Sequence, residues 1–168
     1  GQAEAVAGKE GRLTPLKGEF ERPLNIYRCV YAYVNQSRSG LPDAIGGLTW
    51  FGPDRPSTAA LMPFYAGVTN LPAPMQTGDL LAFNRKSMWT AFNFVANFAM
   101  LKYSFMIEDI RKVRDRFEAQ ALGGQATREN EALKLWKAGD EAGARAMLTR
   151  YCDGNAGAVL EEWWKLAE

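Results

Sequence analysis

The chain has 168 residues, 47% of them hydrophobic and 23% charged, a balance that supports one folded domain with a real core. Its 20 basic and 19 acidic residues leave a net charge of +1, so no long-range field recruits nucleic acid or an anionic membrane. The absence of histidine excludes Ser-His-Asp and Cys-His catalysis and histidine-ligated zinc, and two cysteines fall short of a four-thiolate site.

Residues 1–23 are small and polar, rich in Gly, Lys and Glu, and read as a leader or linker ahead of a single domain over residues 24–168. No secretory pattern occupies the first eleven residues, and no run of about 18 apolar residues is present to span a bilayer. Localisation therefore stays open. From Leu24 to Val34, alternation sets Tyr27, Cys29, Tyr31 and Tyr33 on one face and predicts a strand, ended by the polar stretch Asn35 to Asp43. Further strands are expected at Ile45–Phe51 and Ser57–Tyr65, with Pro63 pointing to an edge position. Short connections make an antiparallel meander the economical arrangement.

Beyond Pro72 and Pro74 the pattern turns helical. Ser87 suits the N-cap of a helix from Met88 to about Tyr103, apolar nearly all round and so expected to be buried between layers. Asn93 and Asn97 share its one polar edge. Phe105 to Ala121 carries a core stripe of Met106, Ile110, Val113 and Phe117, ended at Gly123-Gly124, with Glu108 and Lys112 as an i,i+4 pair. Three more helices are expected at Thr127–Ala138, Asp140–Tyr151 and Asn155–Ala167. Strands over about 24–66 followed by helices over about 87–167 define an α+β fold, with the helices on one face of a small antiparallel sheet.

Few residues offer chemistry. Cys29 lies in mid-strand among tyrosines, with no histidine, helix N-terminus or facing cation to lower its pKa, and reads as a buried structural thiol. Cys152, placed before an Asp153-Gly154 turn, reads as structural too, and both are expected as free thiols. Glu108 and Asp109 point about 100° apart on a helix and cannot converge on one substrate atom. The cluster Asn35-Gln36-Ser37-Arg38 offers amide, hydroxyl and guanidinium groups at a strand end, which suits either a peptide or carboxylate ligand or a plain polar turn. Gly46-Gly47 lacks the lysine and helix start of a phosphate loop. Neither metal ligands nor nucleotide motifs occur, so no cofactor is implied.

The succession VNQSRSGLPDAIGGLTWFGPD, MPFYAGVTNLP and SMWTAFNFVANFAMLKYSFMIEDI resembles the carboxy-terminal half of the cysteine-type dipeptidases, which are N-terminal-nucleophile hydrolases. The resemblance runs from about Arg12 to Glu168. It implies an αββα sandwich and an amino-terminal cysteine whose own α-amine takes the thiol proton, which accounts for the lack of histidine. Attack on the peptide carbonyl then gives an acyl-enzyme that water releases. Here Gly1 stands first and neither cysteine is terminal. The expectation is therefore a fragment, inactive alone, that needs an upstream half of the same protein to act on a dipeptide. Within this chain Arg28, Gln36 and Arg38 match polar positions of the resembled segment and are the expected substrate-side or supporting groups. The alternative is a non-catalytic interaction module with a closed surface. An exposed apolar sheet face, by contrast, would favour the half-enzyme and could drive homo-oligomerisation.

Overall fold

The computed structural model describes residues 6–7, 13–14, 24–79 and 81–168. Most of the leader expected over residues 1–23 lies outside the described residues. Within it, two short antiparallel strands are placed, β1 (Val6–Ala7) and β2 (Leu13–Thr14).

Alternation and β-branched or aromatic content give three longer strands: β3 (Tyr31–Gln36), β4 (Leu48–Pro53) and β5 (Met62–Tyr65). They form an antiparallel meander in the order β3-β4-β5, with Tyr31 opposite Pro53, Gln36 opposite Leu48, and Pro63 opposite Trp50. Pro63 thus sits on an edge strand, where its missing N–H costs no central ladder bond.

The first strand is shifted from its expected position. Leu24 to Val30 is not extended: the Cys29 amide closes a turn on the Ile26 carbonyl at 2.9 Å. The reason lies in the partner strand: β4 ends at Pro53, the Asp54 amide still bonds the Val30 carbonyl at 2.7 Å, and Asp54 then turns with φ 65°, so no strand continues opposite the residues before Val30. At the other end, Asn35 and Gln36 continue the strand instead of ending it, since Thr49 and Leu48 face them. Residues expected at the start of the second strand form a short helix, α1 (Asp43–Gly46). Those at the start of the third form a 3-10 turn at Pro56–Thr58.

A short helix α2 (Ala73–Gln76) precedes the helical half, which comprises α3 (Met88–Ala99), α4 (Tyr103–Gly123), α5 (Gln125–Lys137) and α6 (Glu141–Lys165). Ser87 caps α3 by accepting from the Thr90 amide, and Asp140 caps α6 by accepting from the Gly143 amide. α3 stops short of Tyr103 because Lys102, at φ −146° and ψ 62°, is not helical and starts a new direction. α6 corrects the division at Asp153-Gly154: one helix runs straight through both residues. Its buried side chains explain why. Ala144, Leu148 and Cys152 pack with Ile45, Leu48, Trp50 and Tyr65, while Ala156, Val159, Trp163 and Trp164 pack with Met62, Met88, Phe92 and Ile110. Each half of α6 belongs to one of two core clusters, and Phe64 touches both. Tertiary packing outweighs the weak helical preference of Asp and Gly.

Gly154 is exposed in mid-helix, and a Cβ there would meet nothing within 4 Å. Gly154→Ala should therefore raise stability by roughly 0.5–1 kcal/mol, chiefly by restricting the unfolded chain. A denaturant midpoint lowered by the substitution would count against an uninterrupted helix at this point.

α3 also departs from expectation. Met88, Ala91, Phe92, Val95, Ala96 and Ala99 are buried, but Trp89, Phe94 and Phe98 remain about 40% exposed. The helix is covered on one face, and its second aromatic face is open among the described residues.

Candidate functional site

Gln36 and Arg38, at and just beyond the end of β3, converge on one buried carboxylate. Arg38 donates from Nη1 to Glu129 Oε1 at 2.6 Å, and from Nε and Nη2 to the carbonyls of Gly46 and Ile45, both at 3.1 Å. Gln125 Nε2 bridges Gln36 Oε1 and Glu129 Oε1, at 3.2 and 2.8 Å, and Trp50 Nε1 donates to the same Gln36 oxygen. Tyr65 donates to Glu129 Oε1 at 3.3 Å, and burial, reinforced by that carboxylate, raises the phenol well above its ordinary range. These contacts tie the end of the sheet and α1 to α5. Gly46 belongs to this knot because a Cβ there would lie 2.7 Å from the Arg38 carbonyl. Arg28 is not brought to it: the residue is exposed in the turn before β3, with its guanidinium 5.8 Å from the Tyr27 ring.

A second polar array was not singled out from sequence, and it lies deeper. Asp54 and Arg55, 1% and 3% exposed, follow β4 directly. Asp54 Oδ1 accepts from both the Arg55 amide (2.8 Å) and Arg55 Nε (3.1 Å), and Oδ2 accepts from Asn93 Nδ2 at 2.7 Å. Arg55 Nη2 donates to Asn97 Oδ1 at 2.9 Å, and Asn97 Nδ2 donates to Asn93 Oδ1 at 3.1 Å. The ring of bonds is closed, and Asp54 holds a positive φ of 65°, a region that aspartate and asparagine enter more readily than other non-glycine residues. Spacing of four brings Asn93 and Asn97 onto one side of α3.

This array opens onto a groove of about 470 Å³ walled by Trp89, Phe94, Phe98, Phe83 and Leu101, with Asn93 and Asn97 as its amides. Phe94 contacts Phe83, Phe98 and Trp164 at ring separations of 5.8, 6.0 and 5.9 Å. A mostly apolar wall with a few fixed polar groups is the ordinary make-up of a ligand site. Its sequence signal was the asparagine pair: two poor helix formers in an otherwise apolar helix imply partners on a neighbouring element.

The remaining candidates are less engaged. Glu108 and Asp109 are exposed and pair with Arg111 and Lys112 three residues on, in place of the expected Glu108–Lys112 contact. Both cysteines are free. Cys29 is half-buried in its turn, not buried in a strand, and its Sγ lies 3.1 Å from the Leu24 carbonyl. Cys152 is buried in α6, and desolvation pushes its thiol from the ordinary 9.0 up to about 11. Iodoacetamide at pH 8 should add one group to the native chain, at Cys29, and two in denaturant; a Cys152 adduct under native conditions would contradict its burial. The sign for stability follows from the same shift. The unfolded thiol ionises first, so the folded state loses stability as pH rises from about 9 to 11, by on the order of 2–3 kcal/mol from this group.

Among the described residues no group of three or more His, Cys, Asp or Glu side chains is placed to hold a metal ion, and no helix is long and apolar enough to cross a membrane. Compared with curated proteins, the chain matches none. Compared with protein-family models, residues 6–116 match the one described as Peptidase family C69. The match includes the sheet, the Asp54–Arg55 pair, both asparagines of α3 and most of α4. As the resemblance of its motifs implied, the chain belongs to peptidase family C69.

Proposed function

We propose that this chain is the carboxy-terminal part of a cysteine-type dipeptidase of the N-terminal-nucleophile class, with the nucleophile outside the 168 residues. The observation that carries this reading is the Asp54–Arg55–Asn93–Asn97 array beside an aromatic groove, all of it within the region matched by the peptidase family. Asn93 and Asn97 each spend one amide N–H inside the array, which leaves one on each for a peptide carbonyl in the groove. Asp54 and Arg55 fix those amides and so lower the cost of ordering them when substrate binds. Gln36 and Arg38 take a supporting role through Glu129, holding the end of β3.

The open edge of the sheet supports the same reading. Among the described residues β3 pairs on one side only, and Tyr31, Tyr33 and Val34 are each more than half exposed, with Tyr31 stacked on Phe51 at 5.5 Å. An aromatic strand edge of this kind is a ready template for further strands. In the full enzyme we place the upstream half there, as part of a sandwich.

The test is hydrolysis of dipeptides by this chain alone and by a longer natural polypeptide containing it, each with and without thiol alkylation. Activity in the longer form alone, abolished by alkylation, is the expected result. Activity of the short chain would relocate the nucleophile to Cys29 or Cys152. Silence from both would favour a non-catalytic interaction module.

A further inference from the structure

The groove along α3 is uneven in charge. Among the described residues Asp79 is the one ionisable side chain that lines it; the other walls are apolar, apart from the Thr90 hydroxyl and the amides of Asn93 and Asn97. Asp79 stands at the start of the helix, because a Cβ on the preceding Gly78 would lie 3.3 Å from the Oγ of Ser87, the N-cap. One carboxylate oxygen, Oδ1, accepts from the Leu81 amide at 2.8 Å, which orients the group within its turn. No ion pair among the described residues includes it. Arg85, the next basic residue along the chain, is engaged elsewhere, 3.2 Å from Glu168 and 4.5 Å from the centre of the Trp164 ring. A carboxylate with no opposing charge, at one end of an aromatic groove, suits a ligand that carries a cation beside an apolar group.

We infer that Asp79 takes the α-ammonium of a short peptide whose first side chain, bulky and apolar, lies against Trp89, Phe94 and Phe98. The inference rests on the peptidase reading above and adds which end of the peptide enters the groove and which side chain it selects. Three features favour that ligand. The rings of Trp89, Phe94 and Phe98 are each about 40% exposed, so their uncovered area is there for a side chain to bury. Asn93 follows the cap of α3 by six residues, roughly 9 Å along the axis at about 1.5 Å per residue. A hydrogen bond at each end, with the roughly 3 Å between the α-nitrogen and carbonyl oxygen of one residue, covers about the same distance. The ammonium can therefore meet Asp79 while the carbonyl of the same residue meets the asparagine amides. Finally, the carboxylate repels the other terminus of a peptide, and with no second carboxylate lining the groove it makes a poor metal site.

The experiment measures binding of the dipeptides Leu-Ala, N-acetyl-Leu-Ala and Gly-Ala to the 168-residue chain by calorimetry at pH 6.5, alongside Asp79→Asn and Trp89→Ala. Leu-Ala should bind roughly five-fold more tightly than its acetylated form, the size expected of a charge pair at an exposed carboxylate. It should bind about ten-fold more tightly than Gly-Ala, for the side chain that the rings cover. Asp79→Asn keeps an oxygen for the Leu81 amide and so keeps the turn; it should remove the preference for the free amine and leave the acetylated peptide unchanged. Trp89→Ala should instead shrink the preference for Leu-Ala over Gly-Ala, with thermal unfolding measured to confirm that it is folded. Equal affinity for free and acetylated peptide, a preference that survives Asp79→Asn, or no measurable binding of Leu-Ala would each overturn the subsite. The peptidase reading fails separately: if binding discriminates as expected but the longer polypeptide hydrolyses no dipeptide, the subsite stands and the reaction does not. If the longer polypeptide hydrolyses Leu-Ala and N-acetyl-Leu-Ala equally and binding does not discriminate, the reaction stands and the subsite falls.

Discussion

Asp54→Asn is expected to destabilise the folded chain by about 3–5 kcal/mol, although it changes neither size nor shape. Asparagine tolerates a φ of 65° well, so the backbone is not the cause. The cause is the Arg55 guanidinium, which would be left in a site only 3% exposed with no opposing charge. The new amide also supplies a donor where an oxygen now accepts, either from Asn93 Nδ2 at 2.7 Å or from Arg55 Nε at 3.1 Å. At least one bond of the array must therefore be lost, that from Asn93, and two from Arg55 if the amide is turned the other way. The decisive measurement is a double-mutant cycle with Arg55→Met in chemical denaturation. Removing both charges should cost clearly less than the sum of the single changes, because the uncompensated ion is then gone. Additive losses would mean that the pair is not coupled and that the array does not form as described.

Trp163→Ala should cost a similar amount, about 3–5 kcal/mol, by emptying the centre of the larger core cluster. Trp163 is fully buried and stacks on Phe92 with ring centroids 4.2 Å apart and planes 11° from parallel. In a chain of this length the loss corresponds to a fall in melting temperature of roughly 10 °C. Trp163→Phe separates packing from polarity. The indole Nε1 is buried without a partner, so replacing it by a phenyl ring removes an unsatisfied donor while keeping a ring against Phe92. That variant should lose no more than about 2 kcal/mol. If Phe and Ala prove equally damaging, the stacked pair is not what holds α6 against α3.

Both substitutions act on the same support. Phe92 and Trp163 fix the buried face of α3, and with it the position of Asn93 and Asn97 on the neighbouring face. A core change at Trp163 should therefore loosen the groove as well as the fold. The two effects separate in Asp54→Asn, which leaves the apolar packing intact.

Much of this was legible in the chain itself. Alternation of aromatic and β-branched residues announced the three strands, and Pro63 announced an edge, because side-chain period and the missing N–H are local properties. The cap at Ser87 was equally local. The motifs also carried the family, since fixed Trp, Gly and Pro positions survive reading without a structure. What local reasoning missed depends on partners. Leu24–Val30 alternates like a strand but has no strand to pair with, and Asp153-Gly154 looks like a turn but is held in α6 by Leu148, Cys152 and Ala156 on the core side. The Asp54–Arg55 pair looks like turn chemistry after a strand. Only the approach of α3 makes it an array, because a carboxylate, a guanidinium and two amides gain their meaning from bonds spanning about 40 residues. Sequence thus determined the elements, the absence of histidine chemistry and the family, whereas the tertiary structure decided which polar groups are buried together, since burial and hydrogen-bond partners are properties of the packed chain.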